Sequence, residues 1–244
     1  MISVVTDEVA DRLDTLMETL KEAELKYVEL RKLNQRYLFE IDYGELKLIH
    51  RKLKENHFQV SLVDSPIGKH KFHFDQEDKL FLKYIRICKI LECNYLRIFT
   101  DVSDLDRYHE IAKENQIMLL IENEKGTKGE NYFYLKEIME KNYSNIRLLY
   151  DPENYYSLGM DYLEALRLLK KDIVYVHLRD IKNGKYVNLY DGEISIDEIL
   201  NNLQEAVVLS LETHLPMSWE LPKEELFLKC IRRIYEQEFL WKFK

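Results

Sequence analysis

The chain has 244 residues, of which 46% are hydrophobic, so it is long enough to bury one large core or two small ones. Its formal net charge of -8 argues against electrostatic binding to nucleic acid, which needs a clustered basic surface. The chain contains only 4 Pro and 7 Gly, and no stretch rich in Pro, Gly or Ser suggests a linker, which favours a single domain over residues 1–244.

Eight short runs of β-branched and other apolar residues predict strands, and segments with helical periodicity lie between them. The first helix is clear, because apolar residues recur at i, i+3, i+4 and i+7 from Leu13 to Leu20. The predicted strands span residues 2–5, 27–30, 58–63, 95–99, 118–121, 146–150, 174–178 and 207–211. The predicted helices span residues 11–23, 43–55, 76–91, 103–114, 131–141, 161–170, 195–204 and 223–238.

This alternation predicts the fold class. Buried strands that lack a period of two and are separated by helices are typical of a parallel sheet. Eight strand–helix units in roughly 250 residues is the pattern of a (β/α)8 TIM barrel. A doubly wound open sheet is the alternative, but Thr6-Asp7-Glu8-Val9 follows the first strand where that fold has a glycine-rich turn. We therefore predict an α/β protein with one TIM-barrel domain.

The cysteines and the absence of long apolar segments bear on the compartment. The three cysteines, Cys88, Cys93 and Cys230, show no metal-ligand spacing, and their odd number fits a reducing environment. The first residues become acidic too early for a secretory signal, and no stretch approaches the ~20 apolar residues of a membrane span. We expect a cytoplasmic protein that does not enter membranes.

Four of the predicted strands end at a side chain that can bind a metal ion. Glu122, Asp151 and Glu212 follow the fifth, sixth and eighth strands, and His177 lies near the end of the seventh. Packing explains one such residue more readily than four. Because active sites of TIM barrels lie at the carboxyl ends of the strands, these neighbouring ends should converge. Three carboxylates and one imidazole form a ligand set dominated by hard oxygen donors.

The charge of this set also indicates a cation. Three carboxylates and a neutral imidazole carry a formal charge of about -3, which is strongly self-repelling without a counter-ion. Oxygen donors with one nitrogen favour Mn²⁺, Mg²⁺ or Co²⁺ over a structural Zn²⁺, which prefers more Cys or His ligands. We predict a divalent cofactor, with Mn²⁺ as the first choice and Mg²⁺, Co²⁺ or Zn²⁺ as alternatives.

With these residues in order, the chain resembles the sugar phosphate isomerase/epimerase family of xylose isomerase-like TIM barrels over essentially its whole length. The motifs that carry the resemblance are Asp7-Glu8, Tyr27-Val28-Glu29-Leu30-Arg31, Ser65-Pro66-Ile67-Gly68-Lys69, Leu96-Arg97-Ile98-Phe99, Ile121-Glu122-Asn123, His177-Leu178-Arg179-Asp180, Asp191-Gly192-Glu193-Ile194 and Leu211-Glu212-Thr213-His214. The resemblance implies that the four strand-end residues are metal ligands. It further implies that Glu122 and Glu212 are the acid and base on opposite faces of a bound sugar.

The resemblance implies a metal-dependent isomerase or epimerase of a small sugar, sugar phosphate or polyol ketone, acting through a metal-stabilised enediolate. A dehydratase of the inosose or dehydroshikimate type stays open, because the same intermediate can lose a β-hydroxyl group. A non-catalytic sugar-binding barrel and a homo-oligomeric assembly also stay open. A DNA repair enzyme of the endonuclease IV kind is disfavoured, because the second and third strands lead to Arg31 and Asp64 where that enzyme needs histidines.

One departure from the family affects substrate recognition. Many members read Asp-x-x-His after the sixth strand, whereas this chain reads Asp151-Pro152-Glu153-Asn154. Asn154 can hydrogen-bond a substrate hydroxyl, but it cannot shuttle a proton near neutral pH. The change leaves the predicted fold intact and alters a group expected to contact the substrate.

Basic residues at or after the strand ends are candidates for binding a substrate phosphate or carboxylate. Their alternative is ion pairing with Glu29, Asp64 or Asp180 at the barrel mouth, and an ion pair is the expected role of Arg97. The predicted substrate-binding residues are Lys69, Asn154, Arg179 and Lys182.

Overall fold

The computed structural model describes residues 1–69, 74–204, 206–215 and 221–236. Eight parallel strands close into a barrel in chain order, and the last strand pairs with the first. The strands are β1 (Ile2–Val5), β2 (Tyr27–Leu30), β3 (Gln59–Asp64), β4 (Tyr95–Ile98), β5 (Met118–Glu122), β6 (Ile146–Tyr150), β7 (Ile173–Leu178) and β8 (Val208–Leu211). The predicted TIM barrel is confirmed, and each strand boundary agrees with its prediction to within one residue.

A helix follows each barrel strand. These helices are α1 (Leu13–Glu22), α2 (Tyr43–Glu55), α3 (Phe74–Ile90), α4 (Leu105–Glu114), α5 (Tyr132–Glu140), α6 (Tyr162–Leu169), α7 (Ile196–Asn202) and α8 (Lys223–Tyr235). Their boundaries lie within two residues of the predictions, except that α8 ends at Tyr235 and the predicted positions 237–238 lie outside the described residues.

Short elements at the carboxyl ends of the strands were not predicted. The helices Thr6–Val9 and Pro152–Tyr156 directly follow β1 and β6, and the 3-10 turns Leu38–Glu40 and Lys128–Glu130 lie after β2 and β5. Two antiparallel hairpins also occur there, one pairing Lys32–Leu33 with Arg36–Tyr37 and the other pairing Asp180–Lys182 with Lys185–Val187. These segments build the walls around the barrel mouth.

Local sequence signals explain where several helices begin. The Asp42 carboxylate accepts hydrogen bonds from the backbone N–H groups of Gly44 and Glu45 at the start of α2. Asp161 caps α6 in the same way, through the N–H groups of Leu163 and Glu164. A cap of this kind typically contributes about 1 kcal/mol to helix stability.

The inside of the barrel has an apolar layer below a polar one. The apolar layer is a buried cluster, separate from the main core, of Leu62, Leu120, Leu149, Tyr175 and Val208. Side chains two positions apart on a strand point to the same face. Two positions after Leu62, Leu120, Leu149 and Tyr175 the chain has Asp64, Glu122, Asp151 and His177, respectively. The alternation within the strands therefore directs these four polar side chains into the barrel, above the apolar layer.

Cys88, Cys93 and Cys230 are all buried and free, with no disulfide. Across the described part of the chain, no helix combines the length and the apolar character that crossing a membrane requires.

The loop after β3 packs closely on the loop after β4. Gly68 has a φ of +79°, and the carbonyl oxygens of Ile67 and Gly68 accept hydrogen bonds from the N–H groups of Phe99 and Asp101. A Cβ atom at position 68 would lie 2.5 Å from the Phe99 carbonyl oxygen and 2.8 Å from Val102 Cγ1. Only glycine satisfies both the backbone conformation and the close approach.

We predict that Gly68→Ala destabilises the protein substantially more than Gly126→Ala. Both glycines have a φ of +79°, so both variants carry the cost of a left-handed alanine, but a Cβ atom at position 126 meets nothing within 4 Å. The difference between the two free energies of unfolding therefore isolates the steric clash, for which we expect about 1–3 kcal/mol. Urea denaturation followed by circular dichroism measures it, and equal stabilities would contradict the packing described for this loop.

Candidate functional site

A polar cavity of about 510 Å³ opens at the carboxyl end of the barrel. Glu122 and Glu212 of the predicted ligand set line it together with Asn154 and Arg179, whereas Asp151 and His177 are not part of the described lining. The location agrees with the general position of active sites in TIM barrels.

The structure brings the four predicted ligand residues together. One ligand atom from each of Glu122, Asp151, His177 and Glu212 lies within 4.8 Å of the corresponding atoms of the other three. All four side chains are buried, and His177 and Asp151 have no exposed surface at all. The strands β5 to β8 thus supply one compact cluster of donors.

His177 lies at the centre of this cluster. Its Nδ1 atom is 3.2 Å from Glu122 Oε1 and 3.0 Å from Glu212 Oε2. Its Nε2 atom is 2.8 Å from Oε1 of Glu29, a buried residue of β2 on the other side of the barrel. One ring nitrogen therefore faces the cluster, and the other is held by a carboxylate behind it.

Two arginines hold the outer oxygens of the two glutamates. Arg97 Nη1 lies 3.0 Å from Glu122 Oε2, and Arg31 Nη1 forms an ion pair with Glu212 Oε1. These are not the oxygens that face His177 Nδ1. Each carboxylate is thus oriented from two sides, with one oxygen directed into the cluster.

The same arginines bind further carboxylates near the cavity. Arg97 Nη1 lies 3.3 Å from Asp64 Oδ2, which confirms the ion pair expected for Arg97. Arg31 also contacts Asp7 at 3.0 Å and Glu8 at 2.6 Å, both in the short helix after β1.

The two carboxylate oxygens of Asp151 make different contacts. Its Oδ1 atom caps the helix Pro152–Tyr156 by accepting hydrogen bonds from the N–H groups of Glu153 and Asn154. Its Oδ2 atom lies 2.6 Å from Arg179 Nη2, which also contacts Glu153 Oε2 at 3.0 Å and Asn154 Oδ1 at 3.1 Å. The Asp-Pro sequence explains the geometry, because Asp is a preferred N-cap and Pro a preferred first helical residue.

The surroundings shift the pKa values of the four residues in different directions. Burial by itself raises the pKa of Glu122, but the cationic Arg97 and His177 outweigh it and lower that pKa to about 2. Burial is likewise outweighed at Glu212, whose pKa His177 and Arg31 hold well below its usual value. Burial dominates at Asp151 and raises its pKa to about 7 despite Arg179. The carboxylates around His177 overcome the effect of its burial and raise its pKa well above the ordinary value.

These donors fit a divalent metal ion. Glu122 Oε1 and Glu212 Oε2 both face His177 Nδ1, so an ion that displaces the proton of Nδ1 would meet one oxygen from each glutamate. Asp151 offers Oδ2 from beside Arg179 Nη2. The Nε2 contact of His177 with Glu29 leaves Nδ1 as the nitrogen available for an ion, and a carboxylate behind a ligating histidine is a common arrangement. Three carboxylates and one imidazole suit an ion that prefers oxygen ligands.

Three of the four predicted substrate-binding residues line the cavity. Asn154 and Arg179 belong to its buried wall, whereas Lys69 is half-exposed and its Nζ atom pairs with Glu124 Oε1 at 2.9 Å. Lys182 is exposed on the second hairpin and is not part of the described lining.

Asp180 has a structural role away from the cavity. Its carboxylate accepts hydrogen bonds from the backbone N–H groups of Ile181, Gly192 and Ile194. A Cβ atom at position 192 would lie 2.1 Å from Asp180 Oδ1, which explains the glycine in the turn Asp191-Gly192.

The comparisons with known proteins decide the family. The sequence model of the family described as "Xylose isomerase-like TIM barrel" matches residues 17–235. The chain belongs to this family. The resemblance noted from the sequence is thereby confirmed at the level of the family. A search of curated proteins finds no match.

Solved structures share the fold at low sequence identity. The IolI protein with a bound zinc atom has a TM-score of 0.78 and 18% identity, covering 99% of this chain and 97% of its own. The probable 3-DHS dehydratase AsbF of Bacillus anthracis has a TM-score of 0.75 and 15% identity, covering 96% and 98%. An L-ribulose 3-epimerase has a TM-score of 0.71 and 15% identity, covering 99% and 94%. This xylose isomerase-like barrel thus has structural neighbours that include an epimerase and a probable dehydratase.

We predict that the affinity of the cluster for Mn²⁺ increases with pH between about pH 6 and pH 8. The raised pKa values of His177 and Asp151 mean that both bind protons in the metal-free protein near pH 7. An ion must displace these protons, so the apparent dissociation constant should fall by at least about tenfold per pH unit. Isothermal titration calorimetry with Mn²⁺ in buffers of different ionisation enthalpy measures both the affinity and the number of protons released.

Asp151→Asn is the matched variant for this measurement. The amide oxygen can still cap the helix Pro152–Tyr156, but the side chain no longer titrates. We expect fewer protons to be released per bound ion than in the wild type. An affinity that stays constant from pH 6 to pH 8 in the wild type, without proton release, would contradict the protonation states described here.

Proposed function

We propose that the protein is a divalent-metal-dependent isomerase or epimerase of a small hydroxy-ketone, either a sugar, a sugar phosphate or a polyol ketone. The observation that carries this proposal is the convergence of three carboxylates and His177 Nδ1 within 4.8 Å, next to a polar cavity of about 510 Å³. Membership of the xylose isomerase-like family and the epimerase among the structural neighbours support it.

Glu122, Asp151, His177 and Glu212 would hold the ion, with Mn²⁺ as the first choice and Mg²⁺, Co²⁺ or Zn²⁺ as alternatives. A bound divalent ion supplies a Lewis acid, which polarises a carbonyl group and makes the hydrogen on the neighbouring carbon more acidic. The charge balance supports this role, since the ion would take over from the proton of His177 between Glu122 and Glu212.

Glu122 and Glu212 are the proposed acid and base. Because they come from β5 and β8, with two strands between them in the barrel, their carboxylates approach a substrate from different directions. One removes the proton next to the carbonyl, and return of a proton by the other on the opposite face inverts the carbon centre. Return to the adjacent carbon gives isomerisation. Arg97 and Arg31 restrain the outer oxygens, so neither carboxylate has to be oriented during the reaction.

Asn154 and two cations are the proposed substrate-positioning groups. Asn154 Nδ2 is buried without a hydrogen-bond partner among the described residues, while its Oδ1 accepts from Arg179. Because Arg179 fixes the orientation of the amide, Nδ2 is a donor free to bind a substrate hydroxyl. Lys69, at the half-exposed rim, would bind an anionic group of a phosphorylated substrate, as would Arg179 deeper in the cavity.

We predict that Glu122→Gln and Glu212→Gln each reduce turnover by about 10²- to 10⁴-fold, because an amide can neither accept nor return the proton. The substrate is sought in a panel of ketoses, ketose phosphates and inososes, incubated in D₂O with the Mn²⁺-loaded protein. Proton NMR and mass spectrometry detect exchange of the carbon-bound hydrogen for deuterium, and the same spectra identify the product.

Glu114→Gln is the control, because Glu114 is an exposed glutamate at the end of α4, and it should retain full exchange. Unchanged exchange in either site variant, measured at saturating Mn²⁺, would contradict the acid–base assignment. A product that absorbs as a conjugated enone would assign a dehydratase instead, which is the reaction type of the structural neighbour AsbF, a probable 3-DHS dehydratase. Metal binding without exchange on any compound of the panel would favour a binding protein.

A further inference from the structure

Glu29 is a fully buried carboxylate inside the barrel that the proposed reaction does not use. It lies on β2, and its Oε1 atom is 2.8 Å from Nε2 of His177 on β7. Its Oε2 atom accepts hydrogen bonds from the Tyr175 hydroxyl at 2.9 Å and from Ser210 Oγ at 2.5 Å. A carboxylate without exposed surface is costly to bury, so an arrangement this specific requires a reason.

The hydrogen-bonding chemistry determines which nitrogen of His177 carries the proton. An ionised carboxylate only accepts hydrogen bonds, so Nε2 must be the donor in its contact with Glu29. A neutral imidazole has one N–H group, and Nδ1 is then left with the lone pair. Nδ1 is the nitrogen that faces Glu122 Oε1 and Glu212 Oε2, and hence the position of a metal ion.

The barrel interior holds Glu29 itself in place. The Tyr175 hydroxyl, which donates to Glu29, lies 3.0 Å from Ser61 Oγ, and Ser61 Oγ lies 2.6 Å from Ser3 Oγ. This chain of hydroxyl groups links β1, β3 and β7 below the candidate metal site. Glu29 is therefore restrained through both of its oxygens, and it can fix the His177 ring in turn.

We propose that Glu29 is a positioning residue that fixes the tautomer and orientation of His177, so that Nδ1 is presented to the metal ion. This inference rests on the proposed function, since it concerns the ion that the four strand-end residues would hold. Without the negative charge of Glu29, the proton can move to Nδ1 or the ring can rotate, and either change puts an N–H group where a lone pair is needed.

The test variant is Glu29→Gln, which keeps the size of the side chain and removes its charge. The amide can accept from Nε2–H through its oxygen or donate to Nε2 through its nitrogen, so both tautomers become accessible. We expect the dissociation constant for Mn²⁺, measured calorimetrically at pH 8, to rise by about 10- to 100-fold. Long-range ¹H–¹⁵N spectra of the His177 ring with Mg²⁺, which is diamagnetic, should show Nε2–H alone in the wild type and a mixture in the variant.

Tyr175→Phe is the matched control. It removes one hydrogen bond to Glu29 Oε2 but leaves the contact between Oε1 and His177, so both the tautomer and the affinity should stay near wild type. If Glu29→Gln does not fold by circular dichroism, the double variant Tyr175→Phe/Ser210→Ala replaces it. That variant releases Oε2 without removing the carboxylate, and we expect a smaller rise in the dissociation constant together with broadened His177 ring signals.

The role of Glu29 and the proposed metal-dependent function are overturned by different outcomes. A folded Glu29→Gln protein with wild-type affinity and the Nε2–H tautomer would overturn the role of Glu29. If Tyr175→Phe/Ser210→Ala is tested instead, a wild-type dissociation constant together with wild-type His177 ring signals would overturn that role too. Failure of the wild type to bind Mn²⁺ would overturn the proposed function. In that case the ring spectra of the metal-free proteins decide the role of Glu29. Both nitrogens of His177 carry a proton there, so the readout is the strength of the hydrogen bond from Nε2–H to Glu29. An Nε2–H chemical shift that is the same in wild type and Glu29→Gln would overturn the role of Glu29 as well.

Discussion

The structure depends on how the buried carboxylates at the carboxyl end of the barrel are neutralised. A buried carboxylate without a partner costs several kcal/mol, so each one must face a cation or a set of hydrogen-bond donors. The arginines meet the outer oxygens of Glu122 and Glu212, whereas His177 Nδ1 meets their inner oxygens. Arg31, Arg97 and Arg179 contact the cluster from outside, and His177 lies at its centre.

This division between outer and inner oxygens gives the candidate site its chemical character. An ion entering the cluster displaces the protons of His177 and Asp151, whereas Arg31 and Arg97 can stay on the outer oxygens of the two glutamates throughout. The short loops and helices after the strands serve the same arrangement. Asp151, for example, directs Oδ1 to a helix start and Oδ2 to Arg179 at the edge of the cluster. Side chains such as Asp151 therefore hold a structural element with one oxygen and contact the site with the other.

Much of this could be predicted from the sequence because it is local. Strands follow from short apolar runs and helices from apolar periodicity, and the order of eight units identifies the barrel. The ligand residues stand out because polar side chains end apolar runs, as Glu122 does after Leu119-Leu120-Ile121. Within a strand the period of two explains why Glu122 and Leu120 share the inner face. The position of Asn154 beside the cavity also follows, since the cap at Asp151 fixes it three residues later.

The remaining parts depend on contacts between distant segments. Glu29 and His177 are 148 residues apart in sequence, and only the closed barrel brings their side chains to 2.8 Å. The sequence offered Glu29 as one of three alternative ion-pair partners for the basic residues at the rim, but the structure places it against His177 instead. The exposed position of Lys182 could not be predicted either, since it depends on the hairpin in which Lys182 pairs with Lys185. Side-chain direction in irregular loops has no periodic signal in the sequence.

The proposed reaction requires that β5 to β8 form one divalent metal site. Anomalous diffraction from a crystal soaked in Mn²⁺, collected on both sides of the manganese absorption edge, tests it most directly. We expect one strong anomalous peak within coordination distance of Glu122, Asp151, His177 Nδ1 and Glu212, with Arg31 and Arg97 still on the outer oxygens. A fully soaked crystal with no peak there, and with His177 Nδ1 still in contact with both glutamates, would contradict it.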